Sequence, residues 1–177
     1  AQKVVKPSFT GVRTISDIKI SDVRELINWT HFYNLWRVNP QSDKANELRS
    51  EAEVMIDQLQ IRHHLVARVG LFRAFSTDHS LHLCHSEGCP CCAGMERTTE
   101  ILTPRQSKPN DEGVTLSLCD FVAPEGTEDY AGAFAVTISQ SLVEELEHAK
   151  LCDSEGSLML QSLCDRLVEA ASEWLHQ

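Results

Sequence analysis

Residues 114–138 read VTLSLCDFVAP, then EGTED, then YAGAFAVTI. Two short apolar runs rich in Val, Phe and Thr thus flank a cluster that contains Pro124 and Gly126, residues typical of a turn. Apolar residues follow one another in each run without the regular polar alternation of a strand that has one face in water. The stretch therefore predicts two adjacent antiparallel strands, both buried on two faces. Asp120 lies near the end of the first run and Asp129 opens the second.

The rest of the chain extends this pair of strands into an α+β fold, with a mostly antiparallel, twisted sheet flanked by helices. The final helix is predicted from about Ser157 to the end, because Leu160, Leu163 and Leu167 recur at helical spacing. The predicted strands cover residues 66–75, 81–84, 114–123 and 130–138.

Length and composition indicate one domain over residues 1–177, with a lead-in arm at 1–14 and a Cys-rich, polar loop insertion at 84–113. The chain has 42% apolar residues and a net charge of −10. No cluster of Lys and Arg stands out, so nucleic acid and anionic membranes are poor candidates for partners. The sequence shows neither an apolar run of about 20 residues nor a signal peptide, and we expect a cytoplasmic protein.

Two local features of the first half concern a helix and a pair of histidines. Ser21 and Asp22 are predicted to cap a helix that runs through Thr30. His63 and His64 suggest a metal, but neighbouring side chains point in different directions on a helix or a strand. We therefore predict that the two histidines lie on the surface.

Four cysteines crowd into the segment CHSEGCPCCAG at residues 84–94. Soft thiolates at this density could bind zinc, an iron–sulfur cluster or copper, although the spacing matches none of the standard signatures. A redox pair around Pro90 and thiols without any ligand remain alternatives. The candidate metal ligands are Cys84, Cys89, Cys91 and Cys92.

Several motifs resemble the activation domain of cobalamin-dependent methionine synthase. The best matches are DFVAP at residues 120–124 and DYAGAFAVT at residues 129–137. A third, INWTHFY, begins at Ile27, and a fourth is the helix that contains Asp165, Arg166 and Glu169. The resemblance implies the α+β fold of that family, with Asn28 and Glu169 at a site that binds S-adenosylmethionine.

The resemblance also implies a role in reactivation, the reductive methylation of cobalamin that is carried by a separate methionine synthase module. Flavodoxin is the implied electron donor. The chain would be an accessory part of a methyltransferase system, because the reactive chemistry belongs to the bound groups and the protein positions them. We predict no nucleophilic triad.

Two departures from the family keep alternatives open. The family has Asp where this chain has Asn28, and an amide cannot supply the negative charge that pairs with an ammonium or sulfonium group. The family's C-terminal loop, with its site arginine, is also absent up to Gln177. A degenerate, non-catalytic partner-binding module is therefore one alternative, and a metal or redox protein that uses the cysteine cluster is another.

Overall fold

The computed structural model describes residues 4–84 and 98–177, and within them the chain forms five strands, five α-helices and two short 3-10 segments. The strands are β1 (Gly11–Lys19), β2 (His64–Ser76), β3 (Ser80–Cys84), β4 (Thr98–Leu102) and β5 (Asp129–Ile138). The helices are α1 (Ile20–Val23), α2 (Trp29–Leu35), α3 (Asp43–Arg62), α4 (Gln140–Cys152) and α5 (Ser154–Trp174). The 3-10 segments are Arg24–Leu26 and Leu118–Phe121.

The strands form one sheet in the order β1-β2-β3-β4, and β5 also pairs with β2. β2 and β3 are antiparallel, with Arg73 opposite Cys84. β3 and β4 are antiparallel too, with Ser80 opposite Leu102. A sheet with these pairings, combined with five helices, confirms the predicted α+β class.

The described residues fall into two compact units. The first is drawn from Ala1–Arg13 and Val69–Phe134, and it contains β3, β4 and the second 3-10 segment. The second is drawn from Thr14–Arg68 and Ala135–Gln177, and it contains all five helices. The single domain predicted for residues 1–177 stays a prediction.

The second unit is organised around α5. Its predicted apolar stripe is buried at Leu160, Leu163, Leu167 and Ala170, because these positions share one face of a helix. That helix contacts α1, α2, α3 and α4. In the described part of the chain, we find no helix with the length and apolar character needed to cross a membrane.

The predicted strand at residues 114–123 is wrong. Residues Leu118–Phe121 form a 3-10 turn, closed by a capping box in which Ser117 and Asp120 exchange side chain-to-backbone hydrogen bonds. Cys119 is buried, whereas Leu118 and Phe121 are 68% and 71% exposed. The Ser-x-x-Asp pattern gives the backbone an alternative to strand pairing, and local capping overrides the apolar run.

The second predicted strand of the opening stretch exists as β5, but it is not buried on both faces. Residues 132–135 are all exposed. Their side chains are small apart from Phe134, so the apolar run reflects a lack of polar atoms more than a demand for burial. A Cβ on Gly132 would lie 3.1 Å from Leu71 Cδ2, which makes this a position of close approach.

Two further boundaries differ from the sequence prediction. β4 lies inside the segment that was predicted as a loop insertion, and β1 begins at Gly11, within the predicted arm. Every residue of β4 is exposed. Because β4 buries no face, it leaves no apolar alternation in the sequence, and its pairing with β3 defines it as a strand.

Candidate functional site

The helix α2 begins one residue after Asn28, which is its N-cap. The Asn28 backbone is extended, and its side-chain oxygen accepts a hydrogen bond from the backbone N–H of His31 (3.2 Å). The predicted helix through Thr30 is therefore wrong. The chain forms the short α1 and a 3-10 segment, and it restarts as a helix at Trp29, because Asn is a strong N-cap residue.

Aromatic packing fixes α2 within the second unit. The Phe32 side chain is fully buried, and its ring meets that of Trp29 edge-on, with 5.4 Å between the centroids. The Arg49 guanidinium of α3 lies 3.7 Å from the centre of the Trp29 ring. At the other end of α2, the indole N–H of Trp36 donates to Ser162 Oγ on α5 (3.4 Å). The helix that presents Asn28 is thus held by two neighbours.

Glu169 lies on α5 and contacts the side chain of His31, the residue whose backbone N–H donates to Asn28. His31 Nδ1 is 3.5 Å from Glu169 Oε1. The other carboxylate oxygen, Oε2, accepts a hydrogen bond from the Arg166 guanidinium. Asn28 and Glu169 are far apart in sequence, and the structure brings both to His31, a residue that sequence reasoning did not single out.

This group of side chains, Asn28, His31, Arg166 and Glu169, is called the α2–α5 cluster below. The cluster is open to solvent, since the side chains of His31 and Glu169 are 56% and 45% exposed. A cavity of about 370 Å³ in the same unit has other walls, which include Lys19 and Arg62. The α2–α5 cluster is therefore a surface of polar groups on two helices and not a wall of that cavity.

The α2–α5 cluster offers groups of both charge signs. Glu169 can accept hydrogen bonds from an ammonium group, and the Arg166 guanidinium is suited to a carboxylate. The amide of Asn28 adds a neutral donor and acceptor. Such a set fits the amino-acid end of a ligand, which carries one ammonium and one carboxylate.

A second histidine cluster lies elsewhere in the same unit. His63 follows α3, and its side chain is 5% exposed, so the predicted surface position is wrong for this residue. Its Nδ1 lies 3.0 Å from Ser141 Oγ, and its Nε2 lies 2.9 Å from Glu145 Oε2. Arg62 donates to both oxygens of Glu145 (3.0 and 3.1 Å). We call these four residues the α3–α4 cluster.

The α3–α4 cluster lowers the pKa of Glu145. Burial by itself raises the pKa of this carboxyl, but hydrogen bonds from His63 and Arg62 outweigh burial and lower it below its ordinary value. Both nitrogens of the His63 ring are engaged within the protein. This cluster joins the end of α3 to the start of α4.

The two acids of the opening stretch have structural roles in the first unit. Arg105 holds Asp120 through two hydrogen bonds (2.7 and 2.8 Å), and these bonds lower the pKa of the Asp120 carboxyl. Asp129 accepts hydrogen bonds from the backbone N–H groups of Ala123 and Tyr130, each at 2.8 Å. Asp120 and Asp129, the first residues of the two motifs with the clearest resemblance, therefore hold the local backbone and the Arg105 side chain in place.

The candidate metal ligands fall mostly outside the described residues. Cys89, Cys91 and Cys92 lie there, and Cys84 is half-buried at the end of β3. Among residues 4–84 and 98–177, no group of three or more His, Cys, Asp and Glu side chains is placed to hold a metal ion. The described residues give the metal interpretation no support.

A family profile described as "Vitamin B12 dependent methionine synthase, activation domain" matches residues 19–177 of this chain. That match covers most of the chain, including α2, α5 and both halves of the opening stretch. The chain belongs to this activation-domain family.

The fold agrees with that membership. The chain is similar to a crystal structure titled "MetH Reactivation Domain bound to AdoHcy", with a TM-score of 0.79 and 27% sequence identity. The similarity covers 96% of this chain and 55% of that structure, so this chain spans about half the length of the structure that it matches. The activation-domain fold expected from the sequence motifs is confirmed.

Proposed function

We propose that this activation-domain chain binds S-adenosylmethionine and supports the reductive methylation of cobalamin on a methionine synthase module. The observation that carries this proposal is the convergence of Asn28 and Glu169 on His31. Both positions were selected by resemblance, from helices at opposite ends of the sequence. The family match over residues 19–177 and the fold shared with an AdoHcy-bound structure support it, and they favour it over a degenerate partner-binding module.

The α2–α5 cluster would hold the amino-acid end of the ligand. Glu169 would accept the ammonium, and Arg166 would donate to the carboxylate. Asn28 would contribute a neutral hydrogen-bonding group while it continues to cap α2. S-adenosylmethionine, when bound, supplies a methyl group, and the cobalamin of the partner module accepts it.

The other proposed role of this chain is to hold the ligand in position. The Phe32 side chain of α2 is buried, and Trp36 at the end of α2 donates to Ser162 of α5, so the cluster stands on packed helices. We propose a cobalamin-binding methionine synthase module as the macromolecular partner. A flavodoxin-type protein is the proposed source of the electron.

The proposal is tested by calorimetric titration of the 177-residue chain with S-adenosylmethionine. We expect saturable binding that weakens about tenfold or more in Glu169→Ala, because a charge-assisted hydrogen bond is lost. Glu173→Ala is the matched control, since this glutamate is exposed one turn further along α5 and is expected to leave binding unchanged.

Two results would count against the proposal. One is a folded protein that shows no binding of S-adenosylmethionine. The other is equal weakening by Glu169→Ala and Glu173→Ala, which would mean that the ligand responds to the overall charge of the helix and not to the α2–α5 cluster.

A further inference from the structure

Asn28 lies in a short extended link between two helical pieces. The first 3-10 segment ends at Leu26, Ile27 and Asn28 have extended backbones, and α2 begins at Trp29. Residues at the ends of elements are where backbone dihedral angles change most readily. The direction of the Asn28 amide therefore depends on what holds the element before it and the element after it.

A glutamate of α3 holds the element before Asn28. The Arg24 guanidinium donates to Glu53 Oε2 through Nε (3.0 Å) and Nη2, and through Nη1 it donates to Asp57 Oδ1 (2.6 Å). The side chains of Arg24 and Glu53 are each 26% exposed, whereas that of Asp57 is 57% exposed. Because water screens the less exposed contact less, we expect Glu53 to hold Arg24 more firmly than Asp57 does.

The same glutamate also holds the element after Asn28, through Arg49. The Arg49 guanidinium donates to Glu53 Oε1 through Nε (2.9 Å), and its Nη2 lies 2.9 Å from the same oxygen. The guanidinium lies 3.7 Å from the centre of the Trp29 ring. Since an aromatic face attracts a cation, a guanidinium that is held at Glu53 fixes where Trp29 lies.

Glu53 thus joins both sides of Asn28 with the two oxygens of one carboxylate. Oε2 accepts from Arg24, and Oε1 accepts from the arginine that lies over Trp29. Burial by itself raises the pKa of Glu53, but hydrogen bonds from the two arginines outweigh burial and lower it below its ordinary value. The carboxylate is therefore ionised near neutral pH, and both contacts are charge-assisted.

We propose that Glu53 is a positioning residue for the ligand site, because it fixes the direction in which Asn28 presents its amide. It does so through Arg24 and Arg49, which hold the two ends of the extended link. The inference rests on the proposed function, in which Asn28 contributes a hydrogen-bonding group to the α2–α5 cluster. Its consequence is that α3 contributes to ligand affinity by holding the residue that binds.

The test is a calorimetric titration of Glu53→Gln with S-adenosylmethionine. Glutamine keeps the shape of the side chain but gives neither guanidinium a charged acceptor. We expect the Kd to rise about 3- to 10-fold, the effect of one misdirected hydrogen bond to the ligand. Asp57→Asn is the charge-matched control, because it removes an exposed acceptor of Arg24 and leaves both contacts of Glu53 in place. Its Kd should stay within about twofold of that of the unmodified chain.

A double-mutant cycle with Asn28→Ala separates positioning from a general loss of structure. If Glu53 acts through the Asn28 amide, Glu53→Gln should raise the Kd by less than about twofold once that amide is gone. A general weakening of the fold would act in full in both backgrounds. Arg49→Gln breaks the link to Trp29 and leaves Glu53 charged. It should also raise the Kd about 3- to 10-fold, and it tests the same inference should Glu53→Gln fail to fold.

The backbone N–H of His31 reports the position of Asn28 without any ligand, because it donates to the Asn28 side chain (3.2 Å). Hydrogen exchange at this amide, measured by NMR, should be about threefold or more faster in Glu53→Gln than in Asp57→Asn. Equal exchange in the two variants would mean that Glu53 does not hold the start of α2, and it would overturn the inference.

Failure of the function and failure of the inference give different results. If the folded, unmodified chain does not bind S-adenosylmethionine, the proposed function fails and the inference fails with it. If the unmodified chain binds and Glu53→Gln binds as tightly, the inference alone is overturned. It is also overturned if Glu53→Gln weakens binding equally with and without the Asn28 amide.

Discussion

The α3–α4 cluster and the α2–α5 cluster are built from similar groups and differ in their exposure to water. In each, a histidine ring contacts a glutamate that also binds an arginine. A polar residue at the start of a helix meets the same histidine, Ser141 at the ring of His63 and Asn28 at the backbone N–H of His31. The His63 side chain is 5% exposed, and that of His31 is 56% exposed.

That difference separates a structural contact from a candidate binding site. The polar atoms of His63 have lost water, so their bonds within the protein must remain made, and breaking them is costly. The bonds of His31 and Glu169 compete with water and can be exchanged for bonds to a ligand at small cost. The same side chains therefore stabilise the fold in one place and remain available in the other.

The largest expected effect distinguishes the two histidines directly. His63→Ala should lower the free energy of unfolding by about 2–4 kcal/mol, because it leaves a cavity and removes the two hydrogen bonds of a buried ring. His31→Ala, the matched substitution, should stay within about 0.5 kcal/mol of the unmodified chain. Urea unfolding measures both, and equal costs would show that burial is not what separates the clusters.

The next effect is the dependence of the unfolding free energy on pH. The pKa of Glu145 is lowered in the folded state from its ordinary value of 4.5. Its contribution to stability is thus fully present above that value and is lost as the pH falls through the lowered folded pKa. We expect unfolding free energies between about pH 5 and pH 3 to fall less steeply in Glu145→Gln.

Glu147→Gln provides the control for that titration, because Glu147 is an exposed residue on the same helix. Its curve should follow that of the unmodified chain. Identical slopes for all three proteins would mean that the bonds from His63 and Arg62 do not couple Glu145 to folding.

The smallest effect concerns the cap of α2. Asn28→Ala should lower stability by about 1 kcal/mol or less, because the N–H of His31 loses its acceptor but remains open to water. Asn28→Asp should retain the unmodified value, since a carboxylate caps equally well. Thermal unfolding followed by circular dichroism compares the two, and a loss in Asn28→Asp as large as that in Asn28→Ala would contradict the assigned cap.

The sequence predicted long, periodic elements well. The stripe of Leu160, Leu163 and Leu167 lies buried in α5, as expected, because a long apolar repeat at helical spacing fits only a helix that buries that face. The apolar run at residues 114–123 led to the wrong prediction of a strand, because the capping pattern of Ser117 and Asp120 favours a turn there more strongly than the apolar residues favour a strand. The exposed β4 gave no pattern at all, because both of its faces meet water.

The site was predictable in part. Resemblance selected Asn28 and Glu169, and the structure brings both to His31, Asn28 to its backbone N–H and Glu169 to its imidazole. The resemblance could not select His31, because the role of this residue depends on how α2 meets α5. The burial of His63 was missed for a similar reason, since its partners Ser141 and Glu145 come from a distant part of the chain.

The shortness of α2 has a consequence for motion. A helix of seven residues is not stable by itself, so its existence depends on Phe32 and on the bond from Trp36 to Ser162. Amide protons of α2 should therefore exchange with solvent in the same opening event as those of α5 around Ser162. A ligand held by both helices would slow that event, and slowed exchange in α2 would then report occupancy at Glu169.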